Sequence, residues 1–129
     1  MSRAVSLFVP AYNEATTLVD TMPRLLRTVE KDTSDVQLVI VDNGSTDATT
    51  AVAKDLASAD PRIVALRIPE RGVGSALRAA LPHFLHERVV AVDADLAMDL
   101  AFIGESLRRM DGGADVVIGA KRSDVQDRP

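Results

Sequence analysis

The chain has no cysteine, no tryptophan, a single tyrosine and three phenylalanines among 129 residues. Without cysteine, disulfides and thiolate metal sites are excluded, and the absence fits a reducing compartment. With 3% aromatic residues, the core must be built from the Val, Leu, Ile and Ala of a 47% hydrophobic composition. No apolar run approaches the roughly 18 residues that a bilayer-spanning helix needs. The apolar stretch near the N-terminus is ended by Asn13 and Glu14, too early for a secretory signal. A cytoplasmic chain is expected, open to peripheral association with the inner face of the membrane. Positive charge is in deficit, with 15 basic residues against 19 acidic and a formal charge of −4. The basic residues are scattered, so no nucleic-acid partner is expected.

What is present is a set of five short apolar runs, at 5–10, 36–41, 63–68, 89–92 and 116–118. All but the first are rich in Val and Ile and show little alternation with polar residues. Such runs suit strands buried on both faces of a parallel sheet. The intervening segments have helical period. Leu18, Met22, Leu25, Leu26 and Val29 form one stripe, and Ala48, Ala51, Val52, Leu56 and Ala59 a second. The third, Val73, Ala76, Leu77, Ala80, Leu81, Phe84 and Leu85, keeps the i, i+3, i+4 pattern without a break, and Leu100, Ile103, Leu107 and Met110 form a fourth. Pro23 and Pro82 fall inside two of these helices and should kink them. The alternation predicts a doubly wound, mainly parallel α/β sheet. Right-handed crossovers that reverse direction once give the strand order 3-2-1-4, with strand 5 to follow.

Ligands of open parallel sheets bind beyond the carboxyl ends of the strands. Polar residues gather there: Pro10-Ala11-Tyr12-Asn13-Glu14 after strand 1 and Asp42-Asn43-Gly44-Ser45-Thr46-Asp47 after strand 2. Pro69-Glu70-Arg71-Gly72-Val73-Gly74 follows strand 3, Asp93-Ala94-Asp95 strand 4 and Gly119-Ala120-Lys121-Arg122 strand 5. Asp93 and Asp95 have two readings. They could cap the fourth helix, or hold Mg2+ or Mn2+ with waters and a diphosphate completing the shell. Asp42, at the strand end itself, is placed to accept a hydrogen bond from a base, while Ser45 or Thr46 caps the following helix. The glycines at 72 and 74 suit either a tight turn or a phosphate cradle. Tyr12 either stacks on a base or packs. His83 and His86 lack spaced ligand partners and are read as solvated or locally paired.

Taken together, V-P-A-Y-N-E at 9–14, V-D-N-G-S-T-D-A-T at 41–49, G-V-G-S-A at 72–76, V-D-A-D-L at 92–96 and A-D-V-V-I-G-A-K-R at 114–122 resemble family 2 glycosyltransferases of the GT-A fold. The finer flavour resembles the polyprenyl- or dolichyl-phosphate sugar synthases. The resemblance implies a metal-dependent, inverting transfer of a sugar from a nucleotide diphosphate sugar to a polyprenyl phosphate or saccharide. It implies that Pro10, Ala11, Tyr12 and Glu14 line the nucleotide pocket and that Asp42 binds the base. Asp93 would contact the ribose or the metal shell, and Asp95 the metal on the diphosphate. Lys121 or Arg122 would lie near the phosphates.

The chain departs from the family pattern at Val73, where a lysine is usual and for which Arg71 could substitute. It departs again at Ala97, where the polyprenyl-phosphate branch has glutamine. No residue is an obvious candidate for the catalytic base that a sugar hydroxyl acceptor would require. The family's acceptor-binding part follows the segment matched here, so residues 1–129 are expected to form the nucleotide-sugar-binding part of a truncated domain. The family's later antiparallel strand beside strand 4 is then missing. Its absence predicts self-association through an open edge at Val89, Val90, Ala91 and Val92, or a displaced strand 5. Two other classes compete. A receiver-type signalling domain shares length and alternation, but only Lys121 fits its acidic-site pattern. A non-catalytic nucleotide-binding module could use the same fold.

Overall fold

A computed structural model describes residues 4–97 and 100–111. Four strands alternate with helices in the order β1 (Val5–Ala11), α1 (Ala15–Val29), β2 (Val36–Asn43), α2 (Thr49–Ala59), β3 (Ile63–Ile68), α3 (Val73–Ala80), β4 (Val89–Ala91) and α4 (Ala101–Asp111). All pairings are parallel and the order is β3-β2-β1-β4. The doubly wound sheet and its order agree with the sequence reading. The fifth strand expected at 116–118 lies outside the described residues, as do Lys121 and Arg122.

Strand side chains alternate between faces, and both faces are buried here. Val5, Leu7, Val9, Leu38, Ile40 and Val90 point to the face covered by α1, α2 and α4. Phe8, Val39 and Val41 point to the face covered by Ala76 and Ala80 of α3. The first core is much the larger. Its best-buried members, such as Leu18, Met22, Leu25 and Leu107, are fully buried. Each such side chain stabilises the fold by about 1.5–3 kcal/mol relative to exposure.

The third helical stripe is not one helix. α3 stops at Ala80 and a 3-10 turn, Leu81–His83, follows. Pro82 has no N–H to continue the ladder and its ring crowds the carbonyl four residues back. The expected kink is therefore a helix end. Ala76 and Ala80 are buried and Phe84 half-buried, whereas Val73, Leu77, Leu81 and Leu85 are exposed. α1 instead runs through Pro23 without interruption.

Beyond the 3-10 turn, the chain is pinned to the amino end of the sheet. Ser6 donates its hydroxyl to Gln37 Oε1 at 2.6 Å. Gln37 Nε2 donates to the His83 carbonyl at 2.8 Å, and its Oε1 accepts the Leu85 N–H at 3.0 Å. A buried amide so satisfied holds the segment in one place. His86 lies 3.3 Å from the Asp35 carboxylate, a local pairing.

Candidate functional site

At the carboxyl edge, the chain leaves β1 toward α1 and β4 toward α4, and strand order reverses between these two strands. The reversal opens a crevice of about 650 Å³, the place where such sheets bind ligands. Pro10, Ala11 and Tyr12 come from the end of β1, Glu14 from the entry to α1 and Asn43 from the end of β2. Arg71, Gly72 and Val73 come from the entry to α3, and Asp93, Ala94 and Asp95 from the exit of β4. Of the residues expected from sequence, Pro10, Ala11, Tyr12, Glu14, Arg71, Asp93 and Asp95 are brought together. Asp42 is not, and Arg122 lies outside the described residues.

Two of the motif loops are one laced unit. Ser45 Oγ accepts the Asn13 N–H at 2.9 Å, and Thr49 Oγ1 accepts the Glu14 N–H at 2.8 Å. In return, Asn13 Oδ1 accepts the N–H groups of Thr46 at 2.9 Å and Asp47 at 3.3 Å. Asn13 adopts a left-handed φ of 51° to make this possible, a conformation that asparagine tolerates better than most residues. The lacing fixes Tyr12 and Glu14 on the crevice wall. It also corrects the capping assignment: Ser45 serves Asn13, and Asp47 accepts the Thr49 N–H at 2.8 Å and its hydroxyl. The Thr49 hydroxyl, more than the backbone N–H groups, holds the Asp47 carboxyl below its ordinary pKa.

The turn at Asp93-Ala94-Asp95 is anchored from behind. The Thr21 hydroxyl of α1 donates to the buried Ala94 carbonyl at 2.7 Å. Asp95 Oδ1 accepts the Ala97 N–H at 3.0 Å, and the Asp93 carbonyl accepts the Leu96 N–H at 2.9 Å. α4 begins only at Ala101, so neither carboxylate is its N-cap. Both carboxylates line the crevice.

Across the crevice the Arg71 guanidinium lies over the Tyr12 ring, its Cζ 3.7 Å from the ring centre. This cation–π contact holds Arg71 at the crevice wall. Among the described residues Arg71 is the only cation lining the crevice, against the three carboxylates of Glu14, Asp93 and Asp95. An anionic ligand therefore meets net repulsion unless a cation accompanies it. Among the described residues no group of three or more His, Asp or Glu could enclose a metal. The Asp93–Asp95 pair instead offers two hard oxygen ligands, a partial shell of the kind Mg2+ and Mn2+ share with phosphates and water.

Asp42 faces the other way. Its carboxylate is 1% exposed and accepts the Ser45 N–H at 3.0 Å, the Thr50 hydroxyl and Arg67 Nη1 at 2.9 Å. Burial raises its pKa, and the hydrogen bonds from Ser45, Thr50 and Arg67 outweigh that, so the net shift is downward. The expected base-reading role meets a carboxylate already committed to the loop after β2 and to β3. A pKa depressed in the folded state stabilises above the unfolded value near 4, and that contribution is lost as pH falls through the folded value. Asp42→Ala should cost about 2–4 kcal/mol at pH 7, and the gap to wild type should close below about pH 4. Urea titrations of both proteins across that range check it; a gap independent of pH would contradict the assignment.

The next residue, Asn43, does line the crevice. It is 6% exposed, and its Oδ1 has no hydrogen-bond partner among the described residues. A buried amide oxygen without a partner costs roughly 1–3 kcal/mol; the oxygen itself is covered, so a group in the crevice would reach it only if the Asn43 amide turned. The sequence signal was its place next to Asp42 at the end of an apolar strand.

Residues 6–128 match the family model described as glycosyl transferase family 2. The chain belongs to glycosyl transferase family 2. A prophage bactoprenol glucosyl transferase homolog of Escherichia coli K12 is 34% identical over 125 residues, spanning 93% of this chain and 39% of that protein. An undecaprenyl-phosphate 4-deoxy-4-formamido-L-arabinose transferase of Edwardsiella ictaluri is 31% identical, spanning 95% of this chain and 38% of that protein. The chain thus covers well under half the length of these family 2 relatives. Among solved structures, the mannosyltransferase PcManGT of Pyrobaculum calidifontis, in complex with GDP-Man and Mn2+, superposes with a TM-score of 0.65 at 30% identity. That match covers 78% of this chain and 30% of the other. S. aureus TarS in complex with UDP-GlcNAc has a TM-score of 0.62 at 22% identity, over 84% of this chain and 31% of TarS, a likeness of fold. The motifs quoted above are therefore family 2 motifs, and the receiver-type alternative falls.

Proposed function

We propose that residues 1–129 form the nucleotide-sugar-binding part of a glycosyltransferase. It transfers a sugar, with inversion, from a nucleotide diphosphate sugar to a polyprenyl phosphate or saccharide acceptor. The observation that supports this reading is one crevice lined both by an amide with hydrogen-bonding capacity to spare, Asn43, and by a carboxylate pair, Asp93 and Asp95. The first suits a base N–H and the second a metal-bound diphosphate.

In this reading the base sits between the end of β1 and Asn43, with Tyr12 and Arg71 as its aromatic and cationic wall. Asp95, with Asp93, would hold a Mg2+ or Mn2+ ion, which when bound neutralises the leaving diphosphate. Arg71 adds a second positive charge at the mouth, and the resemblance adds Arg122. The chain's own contribution is preorganisation. Thr21 and the laced loops hold their groups before the donor arrives, so little ordering is left to oppose binding.

A lipid phosphate is the favoured acceptor. It is already anionic and needs no general base, and bactoprenol and undecaprenyl phosphate appear in the names of the relatives.

Titration of the chain with UDP- and GDP-sugars, with and without Mn2+, tests the reading. Metal-dependent binding of one series is expected, and the series identifies the base. Failure of both in Mn2+ would refute donor binding. Asn43→Ala should weaken binding of the matching nucleoside roughly tenfold to hundredfold. Equal nucleoside affinity in wild type and variant would move the base elsewhere.

A further inference from the structure

Tyr12 is the one tyrosine of a chain without tryptophan, and one face of its ring is occupied. The Arg71 guanidinium carbon lies 3.7 Å from the ring centre, which is stacking distance. A base seated on that face needs the same space, so base and guanidinium exclude each other there.

The rest of Arg71 is uncommitted. Arg62 and Arg67 each pair with a carboxylate. Arg71 pairs with none among the described residues, although Glu14, Asp93 and Asp95 line the same crevice. It is exposed on the loop between β3 and α3, where it is the only cation of residues 69–74. Its side chain is held by one contact, of a kind that is weak where water reaches it.

Two stronger contacts compete for the two partners. Stacking of a base on an aromatic ring exceeds an exposed cation–π contact. A guanidinium that meets a phosphate through paired, charge-assisted hydrogen bonds also exceeds it. A nucleoside alone must displace Arg71 and offers it no acceptor. A nucleotide diphosphate displaces Arg71 and brings an acceptor into the same crevice.

We infer that Arg71 determines donor specificity by exchange: it covers Tyr12 in the free protein, the arriving base takes its place on the ring, and the released guanidinium moves to the diphosphate. The exchange rests on the donor-binding reading above. It makes Arg71 a filter against free nucleosides, because only a ligand with both base and diphosphate satisfies both partners. An Arg71 that stays on the ring as a fixed wall beneath the base would behave in the opposite way, and its loss would weaken every ligand together.

Isothermal titration of the full chain with uridine and guanosine, and with UDP and GDP in Mn2+, tests the exchange in wild type, Arg71→Ala and Arg71→Lys. For the base that binds, Arg71→Ala should hold the nucleoside about two- to fivefold more tightly than wild type. It should hold the diphosphate about tenfold or more weakly. Arg71→Lys keeps the charge without the planar fork, and its diphosphate affinity should fall between the two. In the free protein the tyrosine band of the near-UV circular dichroism reports on Tyr12 alone. It should differ between wild type and Arg71→Ala while the far-UV spectrum, which checks the fold, stays the same. Nucleoside affinity that falls along with diphosphate affinity in Arg71→Ala would overturn the exchange. So would an unchanged nucleoside affinity, or a tyrosine band indifferent to the substitution. Wild-type protein that binds neither diphosphate in Mn2+ would defeat the donor-binding reading itself, and the exchange with it.

Discussion

Asp95→Ala is expected to remove metal-dependent binding of nucleotide diphosphates, with a loss of about a hundredfold or more. Among the described residues three carboxylates face one guanidinium in the crevice, so a diphosphate without its cation meets net repulsion from them. Asp95 is exposed and its carboxylate accepts only the Ala97 N–H among the hydrogen bonds described. Its removal should therefore cost the fold no more than about 1 kcal/mol. Nucleoside binding, which needs no metal, should persist. Isothermal titration with UDP and GDP in the presence and absence of Mn2+ reads both effects. An unchanged Mn2+-dependent affinity would take the metal away from this turn.

Gly44→Ala is expected to destabilise the fold by about 3 kcal/mol. Gly44 has φ 69°, and a Cβ there would lie 2.7 Å from the Pro69 carbonyl oxygen. Both partners are backbone, so relief requires moving either the loop after β2 or the one after β3. The second of these leads into Arg71, and donor affinity should fall with stability. Gly74→Ala is the internal control. Its added Cβ meets nothing within 4 Å, and in α3 alanine should be neutral or better by up to about 1 kcal/mol. Denaturant midpoints of the two variants decide the matter. A Gly44→Ala protein as stable as wild type would mean that the loops yield freely.

The two effects divide the crevice into groups that bind and backbone that shapes. Asp95 stands at the open end of a turn with little structural duty. Gly44 does not line the crevice, yet it sets how closely β2's exit approaches β3's exit. Asp42 belongs with Gly44. Its hydrogen bonds to Ser45, Thr50 and Arg67 hold the loop whose other side presents Asn43.

Much of the fold was legible in the chain. Aliphatic runs of four to six residues, separated by stripes of helical period, are sufficient for a parallel sheet, because a strand covered on both faces has no need of polar alternation. Right-handed crossovers then leave few orders, and 3-2-1-4 is the one found. Most crevice residues were legible for the same reason: whatever follows a buried strand in such a sheet is at the ligand edge.

What sequence could not decide was the face to which a side chain points. Every residue of β2 is buried, so its hydropathy carries no phase, and neither Asp42 nor Asn43 announces its side. The strand's packing against α2 and α3, and the register that sets Asp42 opposite Arg67, turned the carboxylate inward and the amide to the crevice. The third stripe is a similar case. Its period specified a helix, but one covering helix face can bury only one of two adjacent rows. Ala76 and Ala80 took the sheet, and Pro82 ended the helix. The leucines were left outside because only the tertiary packing determines which row a sheet has room for.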